Sequence, residues 1–392
     1  MFNKDFAVSR PSHLHNNINT TVPCSLRPTT KTKMNLYSSI LATYANLLFL
    51  LLQCPETLTL AHDRMISPLF PAVIGFGDSI LDTGNNNALF SLVKCDFPPY
   101  GREFIGGRPS GRFSNGKVPS DLFASKFGVK EVVRAYLGTE LSAQDLLTGV
   151  SFASGGTGYD SLTVEIASVL SMWDELELFK EYQGKLKAIA GEAKAVEIVS
   201  ESFYVVTAGS NDVANTYFTA RKAQYDVPSY AEFLVQTALH FIKDLHSLGA
   251  RKIAMAGVPP MGCVPYIRTL YGGFQRECVP LFNHLAETFN SKLSMELLKL
   301  NDSLPGSKIV YIDVYTIALD LIEHPSKYGF EESTRGCCGT GNVEVSVLCN
   351  SLDLHTCMDD SKYVFWDSVH PTQRAYEIIV NRAVQDYIHL LV

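Results

Sequence analysis

Four short segments of this chain are apolar on both faces, and that feature most limits its fold. They are 72–76 (Ala-Val-Ile-Gly-Phe), 203–207 (Phe-Tyr-Val-Val-Thr), 252–256 (Lys-Ile-Ala-Met-Ala) and 309–312 (Ile-Val-Tyr-Ile). A strand with one face in water alternates polar and apolar residues. These do not alternate, so they read as strands buried on both sides, as in a parallel sheet. Between them lie helix-length amphipathic stretches. Phe233, Leu234, Thr237, Phe241, Leu245 and Leu248 recur at three- and four-residue steps, and Gly249 stands where that helix should stop. A second helix is expected over 275–300. A last one is expected with Pro371 in its first turn and Ala375, Ile378, Ile379, Ala383 and Tyr387 on one face. Strand–helix alternation predicts an α/β fold with helices on both sides of a parallel sheet. Loops rich in Gly, Pro, Asn and Cys are expected around 77–120 and 325–362.

Length alone would allow two domains, at ~150 residues each. The first 61 residues do not read as folded protein. Residues 34–53 carry no charge and contain Leu47-Leu48-Phe49-Leu50-Leu51-Leu52, with Lys31 and Lys33 just before them. A basic flank followed by a short apolar core is a secretory signal pattern. The apolar core is short for a span and Asn46 interrupts it, so removal near Ala61 is expected over a retained membrane anchor. Met34 directly precedes the apolar stretch and is the expected effective start. The remainder, 62–392, shows no repeat and no linker, so one domain is expected. The whole chain has 33 Lys/Arg and 40 Asp/Glu, and residues 1–61 hold five and two of these. That leaves 28 against 38, a formal charge of −10. An acidic body argues against nucleic acid and anionic lipid as partners. No later segment reaches the ~18 uncharged apolar residues of a membrane span.

After Cys24 and Cys54 in the leader, seven cysteines remain: Cys95, Cys263, Cys278, Cys337, Cys338, Cys349 and Cys357. In a secreted chain they are expected in disulfides, with at least one thiol left over. Cys263 and Cys278 flank one loop and could close it, and the last four should staple an irregular segment. A zinc site is disfavoured by the lack of a CxxC pair and by the adjacency of Cys337 and Cys338. Asn301-Asp302-Ser303 is a glycosylation sequon.

The first strand runs into Gly77-Asp78-Ser79-Ile80, which puts Ser79 beyond a carboxyl end of the sheet, where ligands bind in such folds. Taken alone, Ser79 could equally cap a helix. Near the other end, Asp367-Ser368-Val369-His370 places an acid three residues before a histidine. A serine hydroxyl needs a base within hydrogen-bond reach to become a nucleophile, and a carboxylate can fix the tautomer of that base. His355 lies in the same loop region and competes with His370. His240, His246 and His284 fall within helical patterns and read as structural or surface groups. Acyl transfer also needs oxyanion donors. Asn211, after the strand 203–207, and the glycine turn Gly155-Gly156 are candidates, although either could merely shape a turn. GxGxxG spacing is absent, so the turn is not a dinucleotide site.

In combination these segments resemble the plant GDSL esterase/lipase family of the SGNH hydrolases, most of all its extracellular lipases. The matching segments are Phe76-Gly-Asp-Ser-Ile-Leu-Asp-Thr-Gly-Asn-Asn-Asn87, Gly111-Arg-Phe-Ser-Asn-Gly116, Gly149-Val-Ser-Phe-Ala-Ser-Gly-Gly-Thr-Gly158, Ala208-Gly-Ser-Asn-Asp212 and Tyr363-Val-Phe-Trp-Asp-Ser-Val-His-Pro-Thr372. Ile80 stands where the family name has Leu, and Ser151 where many members have Asn. The resemblance implies a flavodoxin-like three-layer α/β/α sandwich. It implies Ser79 as nucleophile, His370 as base, Asp367 as its orienting acid, and an oxyanion hole of Ser79 N–H, Gly156 N–H and the Asn211 side chain. No cofactor or metal is implied. The expected activity is secreted, extracellular (cell wall or apoplast) hydrolysis of carboxylic esters, lipid acyl esters first. An acyltransferase, an esterase acting on carbohydrate or phenolic esters, and a non-catalytic binding protein are the alternatives. Sequence says nothing of oligomeric state.

Overall fold

The computed structural model describes residues 67–392. The N-terminal extension, with its apolar run and Met34, lies outside the described residues. Six parallel strands form the main sheet: β1 (Val73–Gly77), β2 (Arg134–Ala135), β3 (Val150–Ser151), β4 (Phe203–Thr207), β5 (Lys252–Ala256) and β6 (Lys308–Ile312). Their order is β2-β3-β1-β4-β5-β6. Without the two-residue edge strand β2, this is the flavodoxin-like order, in which the chain reverses direction at its first strand. The reversal puts β3 on one side of β1 and β4 on the other, with Gly75 opposite Ser151 and Gly77 opposite Thr207.

Seven helices matter for the site: α1 (Pro119–Lys126), α2 (Met172–Ala190), α3 (Glu192–Glu201), α4 (Val227–Ser247), α5 (Pro280–Ser303), α6 (Val314–Glu323) and α7 (Gln373–Tyr387). Strand alternation divides the core. Ile74, Phe76, Tyr204, Val206, Ile253 and Met255 pack with α2 to α5 on one face. Val73, Phe203, Val205, Ala254 and Val310 pack with α1 and α7 on the other. Both faces of the central strands are therefore buried, which is why they read as uniformly apolar. The architecture is a three-layer α/β/α sandwich.

Three expected boundaries shift. The helix expected from 275 starts at Pro280, because Cys278 is held in a disulfide and proline, which lacks an N–H, suits a first helical turn. The last helix starts at Gln373, capped by the Thr372 hydroxyl on Ala375 N–H. Pro371 lies just outside it, bridged to Phe365. The segment 325–362 is not wholly irregular: β7 (Glu332–Gly336) pairs with β8 (Tyr363–Phe365) in a small parallel sheet. Disulfides Cys263–Cys278, Cys337–Cys357 and Cys338–Cys349 staple the flanking loops, and the buried Cys95 is the one unpaired cysteine among the described residues. Asn301 lies in the last turn of α5, where its side-chain oxygen accepts from Ile309 N–H at 2.7 Å. Among the described residues no helix is long and apolar enough to cross a membrane.

Candidate active site

The strand order explains how distant segments meet. The segment after β1 carries Ser79. The turn after β3, on one side of it, carries Gly155 and Gly156, and the turn after β4, on the other, carries Asn211. Ser79, Gly156, Asn211 and His370 all line one cavity. Gly77 ends β1 at φ 121°, and a Cβ there would meet the Thr207 carbonyl oxygen at 1.7 Å. Only glycine lets β1 and β4 stay paired while the chain turns towards Ser79.

His370 arrives from the loop after β8. Its Nε2 lies 2.8 Å from Ser79 Oγ, and its Nδ1 lies 2.8 and 3.0 Å from the two oxygens of Asp367. Asp367 is fully buried. Its Oδ1 also accepts from the backbone N–H groups of Val369 and His370, and its Oδ2 accepts from the Tyr100 hydroxyl at 2.7 Å. The imidazole is thus held between hydroxyl and carboxylate, and its ring lies 5.1 Å from that of Phe113. Such a series can pass a proton from the serine to the histidine and on to a leaving group. His355 pairs with Asp353 at the surface, and His324 pairs with Asp320. Neither enters the cavity.

The two glycines of the turn are not equivalent. Gly155 N–H donates to Asp82 Oδ2 at 3.0 Å, and Gly155 O accepts from Asn86 Nδ2 at 2.8 Å. Gly156 (φ 94°) lines the cavity and Gly155 does not. The Asn211 amide donates to Thr157 O at 2.9 Å, which leaves its second N–H for a ligand. Asp82 also accepts from Gly84 and Asn85 N–H, while Asn85 Nδ2 donates to the Ser151 and Ala153 carbonyls. The loop after Ser79 therefore braces the glycine turn. Arg112, in a buried bidentate pair with Asp121, fastens the next loop to α1.

Buried acids lie under the nucleophile. Asp78 is pushed up to about 7 by burial, against hydrogen bonds from Ile80 N–H and the Thr207 hydroxyl, and its Oδ2 has no partner. Burial likewise raises Asp82 and Asp212 to about 6. Glu175 of α2, which accepts from Gly77 N–H at 2.7 Å, is pushed well above the usual carboxylate range. The supporting roles of Tyr100, Asp82 and Glu175 are not visible in sequence. Asp82 sits inside a quoted motif, but nothing marks Tyr100 or Glu175.

The cavity has a volume of about 550 Å³ and its lining is overwhelmingly apolar. Besides Ser79 it is lined by Phe365, by Tyr376, Ile379, Val380 and Ala383 of α7, and by Ala318 and Leu321 of α6.

A parallel α/β sheet with serine, histidine and carboxylate in hydrogen-bonded series at its carboxyl edge is the architecture of a serine ester hydrolase. The model of the GDSL-like lipase/acylhydrolase family matches residues 73–383, and the chain belongs to that family. It is 52% identical over 319 residues to the GDSL esterase/lipase At1g59030 of Arabidopsis thaliana, covering 81% of this chain and 91% of the relative. To the GDSL esterase/lipase EXL3 of the same plant it is 49% identical over 325 residues, covering 83% and 89%. The chain is a carboxylic ester hydrolase acting on a small-molecule ester.

Proposed function

We propose that Ser79 is the nucleophile of a two-step hydrolysis of long-chain acyl esters. Ser79 Oγ adds to the ester carbonyl as His370 Nε2 takes its proton, and Asp367 holds the resulting imidazolium. Ser79 N–H, Gly156 N–H and the Asn211 amide stabilise the oxyanion. The tetrahedral adduct collapses, His370 returns the proton to the departing alkoxide, and acyl-Ser79 remains. Water then adds to the acyl carbon, its proton goes to His370, and the acid leaves as the Ser79 oxygen takes the proton back. The 2.8 Å contact between His370 and Ser79 supports the chemistry.

The cavity supports the substrate class, and it is the observation that carries this reading. Tyr376, Ile379, Val380 and Ala383 line it over successive turns of α7, a run of roughly 10 Å at 1.5 Å per residue. An apolar passage of that length suits an acyl chain and offers little to a sugar. We also assign residues 1–61 to a removable secretory leader, 62–392 to one catalytic domain, and the site of action to the cell exterior. A nitrophenyl ester series from two to sixteen carbons tests the class. Rising kcat/KM beyond eight carbons is expected. A maximum at two carbons would contradict it.

A further inference from the structure

The cavity opens through a rim that holds large apolar side chains in water. Ile166 and Leu348 line the cavity yet are 60% and 58% exposed. Beside them, Phe90 is fully exposed and Leu92 is 77% exposed. Hydrogen bonds join the segments that carry them. Ser91 Oγ donates to Ala167 O at 2.8 Å, Ser346 Oγ donates to Leu92 O at 2.8 Å, and Lys94 N–H donates to Ser346 Oγ at 2.9 Å. No charged residue lies between Asp82 and Lys94, or between Glu344 and Asp353. Single exposed apolar residues are ordinary, but a group tied together around the mouth of an apolar cavity marks an interaction surface.

We infer that this rim docks on the surface of an aggregated, uncharged lipid ester, such as a droplet or a layer without net charge. The inference rests on the acyl-ester reading above. Three observations select this occupant. The exposed apolar side chains continue into the cavity lining, so an acyl chain leaving the aggregate stays in apolar surroundings as far as Ser79. The rim segments 83–93 and 345–352 carry no charge. The chain as a whole is at −7, which repels anionic headgroups.

The test uses Phe90→Ser/Leu92→Ser, two residues outside the cavity lining, with Val347→Ser as a second variant at a residue 43% exposed. Turnover of nitrophenyl butyrate below its solubility limit should stay within about twofold of the parent, since neither site nor cavity is touched. Flotation with phosphatidylcholine-coated triolein droplets, in a Ser79→Ala background that leaves the droplets intact, should fall about tenfold or more for the double variant. Val347→Ser should lose less. Equal flotation of parent and double variant, or binding that requires phosphatidylglycerol, overturns the inference. So does a parent dimer by light scattering that the double variant loses, because the face then covers a second copy. A parent that floats but fails to hydrolyse soluble esters contradicts the catalytic reading and leaves the docking result standing.

Discussion

The Tyr100 hydroxyl donates to Asp367 Oδ2 at 2.7 Å and accepts from Ser346 N–H at 2.8 Å. The series Ser79–His370–Asp367 therefore continues one residue further, into the loop cluster stapled by Cys337–Cys357 and Cys338–Cys349. Tyr100 touches no reacting atom, so it acts as a positioning residue through the carboxylate.

Tyr100→Phe removes that donor while keeping the ring. A hydrogen bond to a charged group contributes about 1.5–3 kcal/mol. We expect kcat to fall about tenfold or more with KM nearly constant, because the loss is felt in the step that charges His370. Steady-state kinetics on a soluble ester check this; an unchanged kcat would make the contact merely structural.

Asn211→Ala removes one of the proposed oxyanion donors and should cost ~10²–10³ in kcat. Its partner Thr157 O also loses a bond, so the melting temperature should drop only slightly. His355→Ala is the matched control. Its ring pairs with Asp353 at the surface, and its activity should equal that of the parent.

The buried acids make stability depend on pH in a defined direction. Asp78 holds its proton to about pH 7 when folded, whereas an unfolded aspartate ionises near pH 3.9. The contribution of neutral Asp78 is complete below pH ~4 and is lost as pH rises from there through 7. Asp82 and Asp212, raised to about 6, act in the same sense over a narrower range. Asp78→Asn should match the parent's stability near pH 4 and exceed it by a few kcal/mol at pH 8. Melting temperatures measured across that range decide; parallel curves would show that Asp78 is ionised in the folded state.

Ala383→Phe narrows the cavity where α7 lines it. Hydrolysis of twelve- and sixteen-carbon esters should fall at least tenfold while four-carbon esters are spared. The added volume should cost about 1–3 kcal/mol of stability. An unchanged chain-length profile would place the acyl chain elsewhere.

Much of this molecule could be read from its residues, and the failures share a cause. β1, β4, β5 and β6 were legible because burial on both faces leaves an uninterrupted apolar run. β2 has two residues, too few for any pattern. β7 is Glu-Ser-Thr-Arg-Gly, a polar strand that no periodicity marks. Ser79, His370 and Asn211 could be named because each follows a recognisable turn or motif. The choice between Gly155 and Gly156 depends on where one N–H points, and it takes the Asp82 contact of Gly155 and the place of Gly156 in the cavity lining to distinguish them. Tyr100 looks like any buried aromatic until its hydroxyl is seen against Asp367.

The central claim is that Ser79 is an activated nucleophile at the mouth of an acyl-chain cavity. Its most direct test is labelling by a long-chain alkyl fluorophosphonate, read by mass spectrometry of the digested protein. We predict one adduct, on the peptide that contains Ser79, blocked by prior incubation with a long-chain ester and absent in Ser79→Ala. A folded parent that stays unlabelled, or an adduct that persists in Ser79→Ala, would contradict the account.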